Sequence, residues 1–475
     1  MKVLHFLVSF RVPRFGAPVL SGSRLGRYFA TTTKSDSKVN VLVLNAGRNN
    51  LRYGLFSISS QPSGHDWLQK DSEIIVSGSV EYGAENDKPG TVVTQIPRKT
   101  EFRYDAQGVI KDPKSALNAV KDLLTKEKNA PLNSLSDIAV VAHRVVHGGE
   151  ISKAMVIDDK LLDAVRKAST LAPLHNPANI KGIEAAREEL PSAVHVAVFD
   201  TAFHQTMPPE SYAYALPRDL AAHHAVRRYG FHGQAYQFVL QEVADELGRR
   251  ESELNLIICY IGQGASMACI ERGRCVDTTM GMTPLEGLVM ESRCGDIDPG
   301  AILHLANELK LDADGLDQLL NTESGLKGLC GRSDLREVEQ AALIGDADAI
   351  LAEKIFVERI RHHLGSFLVR LHGDVDAVVF TGGVGENSAR IRGMVCEGLQ
   401  RFGISLDAKK NAGRSVGPLE ISSAQSFARV FVVHTNEELS IALQSVTCLA
   451  EAAQLDSRAR EVVATEAGSA SGAGG

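Results

Sequence analysis

Arginines, histidines, carboxylates and glycines recur in this chain wherever an apolar run stops. The first run ends in Asn45-Ala46-Gly47, the second in His143-Arg144-Val145-Val146-His147-Gly148-Gly149-Glu150, the third in Phe199-Asp200-Thr201-Ala202-Phe203-His204. Arg227-Arg228-Tyr229-Gly230-Phe231-His232-Gly233 follows. Farther on stand Asp277-Thr278-Thr279-Met280-Gly281-Met282-Thr283-Pro284-Leu285-Glu286-Gly287 and Ser292-Arg293-Cys294-Gly295-Asp296-Ile297-Asp298-Pro299. The last two are Thr381-Gly382-Gly383-Val384-Gly385-Glu386-Asn387-Ser388 and His434-Thr435-Asn436-Glu437-Glu438. This inventory suits phosphoryl transfer. Arginine's planar fork matches a carboxylate or the oxygens of a moving phosphoryl group. A carboxylate can hold magnesium, and glycines let backbone N–H groups reach phosphates. Such chemistry is mostly positioning and charge stabilisation, so it requires no covalent nucleophile. Taken singly, each residue has a plain structural reading. Arg144 or Arg293 could be ion-paired at the surface, His232 a satisfied structural histidine, Asp200 a helix cap, and Gly382-Gly383-Val384-Gly385 an ordinary turn. Their joint occurrence at successive run ends is what favours a site.

Six β-branched apolar runs, at 39–45, 138–145, 195–201, 254–262, 377–383 and 428–435, read as strands buried on both faces. Helical patterns separate them. One opens at Asn176-Pro177, a capping residue followed by proline at the first helical position, and sets Ile180, Ile183, Ala186 and Leu190 on one face. The alternation predicts an α/β fold, in which ligands bind beyond the carboxyl ends of strands. Segments 39–58 and 254–270 both read strand, glycine turn, strand. Two halves that each open with a hairpin able to hold phosphate describe a duplicated scaffold with a cleft between its lobes.

At 475 residues the chain exceeds what one hydrophobic core supports. Its 44% hydrophobic and 23% charged content is that of a globular protein, and a net charge of -7 predicts neither nucleic-acid nor membrane binding. No apolar run approaches the roughly 20 residues of a membrane span. Seven cysteines without a C-x-x-C pair predict free thiols in a reducing compartment and no structural zinc. The first 37 residues carry Lys2, Arg11, Arg14, Arg24, Arg27 and Lys34, and no acid before Asp36. That is the composition of an organellar transit peptide, read here as mitochondrial, with plastid or cytoplasm as alternatives. A secretory signal ranks second and a disordered basic tail is the bland reading. The Gly/Ala/Ser-rich end predicts a disordered tail over 456–475.

The motifs H-R-V-V-H-G-G-E, P-L-H-N-P, F-D-T-A-F-H, R-Y-G-F-H-G, D-T-T-M-G-M-T-P-L-E-G-L, R-C-G-D-I-D-P-G, T-G-G-V-G-E-N-S and T-N-E-E-L occur in order. They resemble the acetate kinase (acetokinase) family of the actin/sugar kinase/Hsp70 superfamily, over roughly residues 39–450. The resemblance implies a duplicated actin-like ATPase (ribonuclease H-like) fold, with two lobes around a nucleotide cleft. The N-terminal lobe would be 38–201, completed by a helix at 437–455, and the C-terminal nucleotide-binding lobe 202–436. It implies reversible in-line transfer from ATP to acetate, giving acetyl phosphate and ADP, with Mg2+ as cofactor and a homodimeric assembly. Arg144 and Arg293 would bind the carboxylate and stabilise the phosphoryl oxygens, His232 would donate to them, and His175 would support the cleft. Asp200 and Glu437 would hold magnesium, with Asn45 near the metal. Val146, Leu174, Phe231 and Pro284 would enclose the acyl group. Arg52, Gly262, Gln263, Gly264, Gly382, Gly383, Val384, Gly385 and Asn387 would flank the nucleotide, and Asp334, Leu335 and Arg336 would contact adenosine.

The chain departs from the family pattern in places. Arg48-Asn49-Asn50 stands where N-A-G-S-S-S-L-K-Y has three serines, and Tyr260 and Gln263 stand for histidine and asparagine in H-L-G-N-G. Gln234-Ala235-Tyr236 replaces Thr-Ser-His, and Glu291 replaces a glycine near Arg293. Three readings follow: an acetate kinase, a relative with altered specificity (propionate, pyrophosphate), or a non-catalytic nucleotide-binding paralogue.

Overall fold

Val39, Val41 and Val43 alternate with Leu42 and Leu44 in one short run, and all five are buried, so this segment must be covered on both faces. The computed structural model describes residues 38–59, 72–82, 91–95, 102–105, 110–127, 130–173, 175–415 and 417–471. The proposed leader therefore lies outside the described residues.

Eight strands form the first sheet: β1 (Lys38–Ala46), β2 (Asn50–Ser59), β3 (Ser72–Glu81), β4 (Thr91–Gln95), β5 (Phe102–Asp105), β6 (Ile138–Val145), β7 (Met155–Val156) and β8 (Val194–Phe199). Their order is β5-β4-β3-β2-β1-β6-β8-β7. Six form the second: β9 (Leu256–Ile261), β10 (Ala265–Glu271), β11 (Arg274–Thr278), β12 (Ala377–Thr381), β13 (Leu419–Glu420) and β14 (Arg429–Val432), in the order β11-β10-β9-β12-β14-β13. Remove β4 and β5 and the two orders coincide strand for strand. The senses coincide too. β1 and β9 each run antiparallel to the next strand and parallel to the central one, and β7 and β13 are both antiparallel edge strands. The hairpin echo in the sequence is thus a duplicated sheet.

Both sheets are covered on both faces. One face of the first packs on the helices Pro113–Thr125 and Asn176–Glu189, through Ala116, Leu117, Val120, Ala185 and Ala186. The other meets the terminal helix through Ile441, Ala442, Leu443, Val446 and Leu449. The second sheet lies between the helix Gly233–Leu247 and a layer containing the helix Ala347–Arg370.

All six runs are strands, but the expected bounds were generous. The run at 195–201 stops at Phe199, leaving Asp200 and Thr201 in the turn beyond the sheet. The run at 428–435 likewise stops at Val432. The tail expectation is corrected more strongly, because the terminal helix continues to Ser471. The stretch after Leu455 is rich in Ala, Arg and Glu and holds no proline, so its helix propensity outweighs the small residues beyond.

The docked half of that helix supplies core to a sheet whose last strand ends at Phe199, far earlier in the chain. Replacing fully buried Leu443 by alanine should cost about 2–5 kcal/mol, read as a lower urea midpoint; an unchanged midpoint would contradict this docking.

Candidate active site

The strand ends of both sheets meet at one cleft, and short polar tethers set its walls. Asn176 and Asn179 lie three residues apart at the start of one helix, so they share a face. Asn179 Oδ1 accepts from Val146 N at 3.1 Å, and its Nδ2 donates to the Ala46 carbonyl at 2.7 Å. One side chain thereby joins the ends of β1 and β6. Asn176 grips both backbone groups of His147, at 3.1 and 2.9 Å. Thr201 Oγ1 accepts from Gly148 N at 3.1 Å. Across the cleft, Glu386 accepts from Gly382 N at 3.0 Å and Thr435 N at 3.2 Å, joining the ends of β12 and β14.

Arg144 leaves the end of β6 and binds Asp200, just past β8, with two parallel bonds of 2.9 and 2.7 Å. Asp200 is only 1% exposed. Its burial pushes the carboxyl up while the guanidinium pulls it down. Burial opposes the Arg144 charge as well, but Asp200 and Glu437 outweigh it and hold the proton more firmly than usual. The bidentate geometry is that of a charged pair. Glu437, at the start of the terminal helix, places Oε2 3.7 Å from Arg144, and its Oε1 accepts from the Tyr260 hydroxyl at 3.0 Å. Tyr260 is on β9, so this contact spans the two lobes.

Arg293 is different. Its Nη1 donates to the Pro284 carbonyl at 3.1 Å, yet among the described residues no carboxylate pairs with it. Burial alone loosens its proton, with no anion to offset that. Glu291 faces Asp334 and Arg336; burial first, then Asp334, raises its carboxyl. A Cβ placed on Gly264 would lie 3.4 Å from His232 Nε2 and 3.7 Å from Arg293 Nη1, so two donors converge over this turn. His232 has φ +59°, a left-handed backbone that β-carbon sterics disfavour outside glycine. His175, pushed down to about 4 by burial and then by Arg293 and Arg144, stands beside both arginines.

The two glycine turns adjoin. Gly262 N donates to the Gly264 carbonyl at 3.1 Å, and a Cβ on Gly262 would lie 3.7 Å from Gly383 N. Gly382 has φ +78°, and a Cβ there would sit 2.8 Å from the Ile261 carbonyl oxygen, so this position requires glycine. Gln263, Gly383 and Asn387 are exposed at the rim, with Asn387 Nδ2 bonded to the Gly383 carbonyl at 2.8 Å, while Val384 and Gly385 turn inward. Asn45 lies opposite Arg52 on the β1–β2 hairpin. In the turn between them, Tyr82 donates its hydroxyl to the Gly47 carbonyl at 2.6 Å and its N–H to the Asn49 carbonyl at 2.8 Å. Arg48 and Asn49 are exposed.

Val146 and Phe231 are buried together in the core cluster beside the cleft, with Pro284 half-buried nearby; Leu174 lies outside the described residues. Asp334 caps the helix Leu335–Leu343 and pairs with Arg336 at 2.5 Å. Leu335, on the first turn of that helix, is 4% exposed and packs its side chain into the core. Sequence reasoning missed Asn179, Glu386 and Tyr82 as supports. The N-P-A-N spacing signals the first; nothing local signals the other two.

Two sheets of one topology, closing on a cleft of glycine turns, arginines and paired carboxylates, define the duplicated actin-like ATPase fold. The pattern of the acetokinase family matches residues 40–443, and the chain belongs to that family. It is 42% identical to the acetate kinase of Oleidesulfovibrio alaskensis over 416 residues, covering 86% of this chain and all of the relative. The crystal structure of Porphyromonas gingivalis acetate kinase superposes with a TM-score of 0.78 at 37% identity, covering 86% of this chain and 100% of that one. A propionate kinase from Francisella tularensis gives 0.76 at 36% identity, covering 86% and 98%.

Buried neutral histidines make stability depend on pH. Burial pushes His147 and His204 down to about 4 from an ordinary 6.5. Below pH 6.5 the unfolded chain takes up protons that these folded rings refuse, so stability falls as pH drops from 6.5 towards 4. Each histidine contributes about 1.4 kcal/mol per pH unit within that window. Urea midpoints should fall progressively from pH 7 to 5; a flat response would contradict the buried neutral assignment.

Proposed function

We propose that this chain catalyses reversible phosphoryl transfer between ATP and acetate, forming acetyl phosphate and ADP. The observation that carries the reading is Arg293. A half-buried guanidinium without a carboxylate partner calls for an anion, and His232 Nε2 points at the same space over Gly264. Family membership supports it, as do the names of the relatives.

The geometry supports direct transfer. Arg293 and the edge of Arg144 not taken by Asp200 bind the acid's carboxylate, with the acyl end against Val146, Phe231 and Pro284. The glycine turns around Gly262 and Gly382 receive the nucleotide phosphates through backbone N–H groups. Arg293 and His232 then stabilise charge on the oxygens of the moving group, preorganised before reaction begins. Asp200 does not act as a nucleophile, since both of its oxygens are bonded to Arg144 in a buried position. The acceptor's own carboxylate is the nucleophile, and no proton need be removed from it at neutral pH.

A divalent cation fits the donor set. Asp200 and Glu437 flank Arg144, and among the described residues no cluster of three His, Cys, Asp or Glu makes a cage. One or two carboxylates completed by water and phosphates is how magnesium ordinarily accompanies a nucleotide. When bound it would screen phosphate charge; Glu437 would hold it, and Asp200, whose oxygens are bonded to Arg144, would do so through water, with Asn45 nearby.

The acyl wall favours a short acid, but one methylene discriminates by only about 1–3 kcal/mol. Propionate is therefore the second reading, supported by the likeness to a solved propionate kinase. In a coupled assay with ATP, magnesium and either acid, the chain lacking residues 1–37 should form acyl phosphate. Arg293→Ala should lose roughly 10²–10³-fold in kcat. Wild-type signal no greater than that variant's would overturn the proposal. We also propose mitochondrial import, supported by the basic, acid-free start of the chain. A fusion of residues 1–38 to a reporter should enter mitochondria; diffuse signal would refute this.

A further inference from the structure

His232 offers one ring nitrogen to the cleft and keeps the other inside the lobe. Its Nδ1 lies 2.8 Å from Ser266 Oγ. Ser266 sits on β10 and is fully buried, and its Oγ also meets the hydroxyl of Tyr236. Tyr236, fully buried too, stands on the first turn of the helix that His232 caps. Among the described residues neither hydroxyl has another hydrogen-bond partner.

Counting protons leaves one arrangement. If Tyr236 donates to Ser266 and Ser266 donates to Nδ1, both hydroxyl hydrogens are used and the ring hydrogen must sit on Nε2. If Nδ1–H donates to Ser266 instead, Ser266 donates to Tyr236 and the tyrosine O–H has no acceptor. If the histidine and the tyrosine both donate to Ser266, the serine O–H is orphaned. Only the first order satisfies every buried donor. Tyr260 adds the ring plane: its ring stacks on His232 at 4.2 Å with 25° between the planes. Burial, then Arg144 and Arg293, holds the ring neutral. The hydrogen on Nε2 therefore faces the point above Gly264 that Arg293 Nη1 also faces.

We propose that Tyr236 and Ser266 are positioning residues that lock His232 as the neutral Nε2–H tautomer, making it a standing hydrogen-bond donor to a phosphoryl oxygen. The opposite tautomer would present a lone pair to that oxygen and repel it. The donor's purpose rests on the phosphoryl-transfer reading above; the tautomer itself does not.

The test is long-range proton–nitrogen NMR of the ¹⁵N-histidine-labelled chain, with His232 assigned by a His232→Gln variant. Wild-type protein should show Nε2 protonated and Nδ1 bare, and this spectrum needs no second variant to be decisive. Ser266→Ala should mix the tautomers and lower kcat roughly 10–100-fold, the range for partners that orient a site ligand, with the acetate and ATP KM values little changed. Tyr236→Phe should move both readouts the same way but less. A wild-type spectrum with Nδ1 protonated, or a folded Ser266→Ala protein with unchanged kcat, would overturn the proposal. A protonated Nε2 in a chain that forms no acyl phosphate would uphold the relay and sink the functional reading instead.

Discussion

The rest of the cleft depends on the ion pair between Arg144 and Asp200. An almost fully buried carboxylate is tolerated only beside a bidentate cation, and removing one partner of such a pair typically costs about 3–5 kcal/mol. The pair also fixes direction. It aligns the ends of two neighbouring parallel strands and leaves one edge of the guanidinium facing Glu437. Glu437 opens the terminal helix, and through its bond to Tyr260 it reaches the second lobe. Charge compensation in one lobe is thereby linked by a hydrogen bond to the other lobe's first strand.

Duplication explains why so few residues suffice. The same six-strand order occurs twice, so each sheet delivers its strand ends to the same rim. The two copies then diverge in use. The second lobe's turn is bare glycine backbone around Gln263, shaped for close approach. The first lobe's turn carries Arg48 and Asn49 outward, and Tyr82, just past β3, pins its carbonyls. Two of the three serine replacements, Arg48 and Asn49, are therefore exposed side chains on a backbone that is held from behind, while Asn50 is partly buried at the start of β2. Glu291, another departure, faces Asp334 and Arg336, so its charge does not neutralise Arg293.

Much of this was readable in the sequence because buried parallel strands and their polar ends leave long local signatures. The six runs and the two hairpins came from such signatures, and the ordered motifs around Arg144, Asp200, His232, Arg293 and Glu437 carried the family resemblance. β7 and β13 are two residues each, too short for periodicity to register. Asn179 and Tyr82 act through partners 33–133 positions away in sequence, and Glu386 reaches Thr435 49 positions on, and no local pattern encodes that.

The central claim is that the cleft moves a phosphoryl group directly between nucleotide and acid, with the protein only positioning and neutralising charge. ATP made chiral at the γ-phosphorus with oxygen isotopes tests this most directly. A single in-line transfer to acetate inverts the configuration at phosphorus, and inversion is the result this account predicts. Retention would require a phosphorylated protein group between two displacements, and would contradict it.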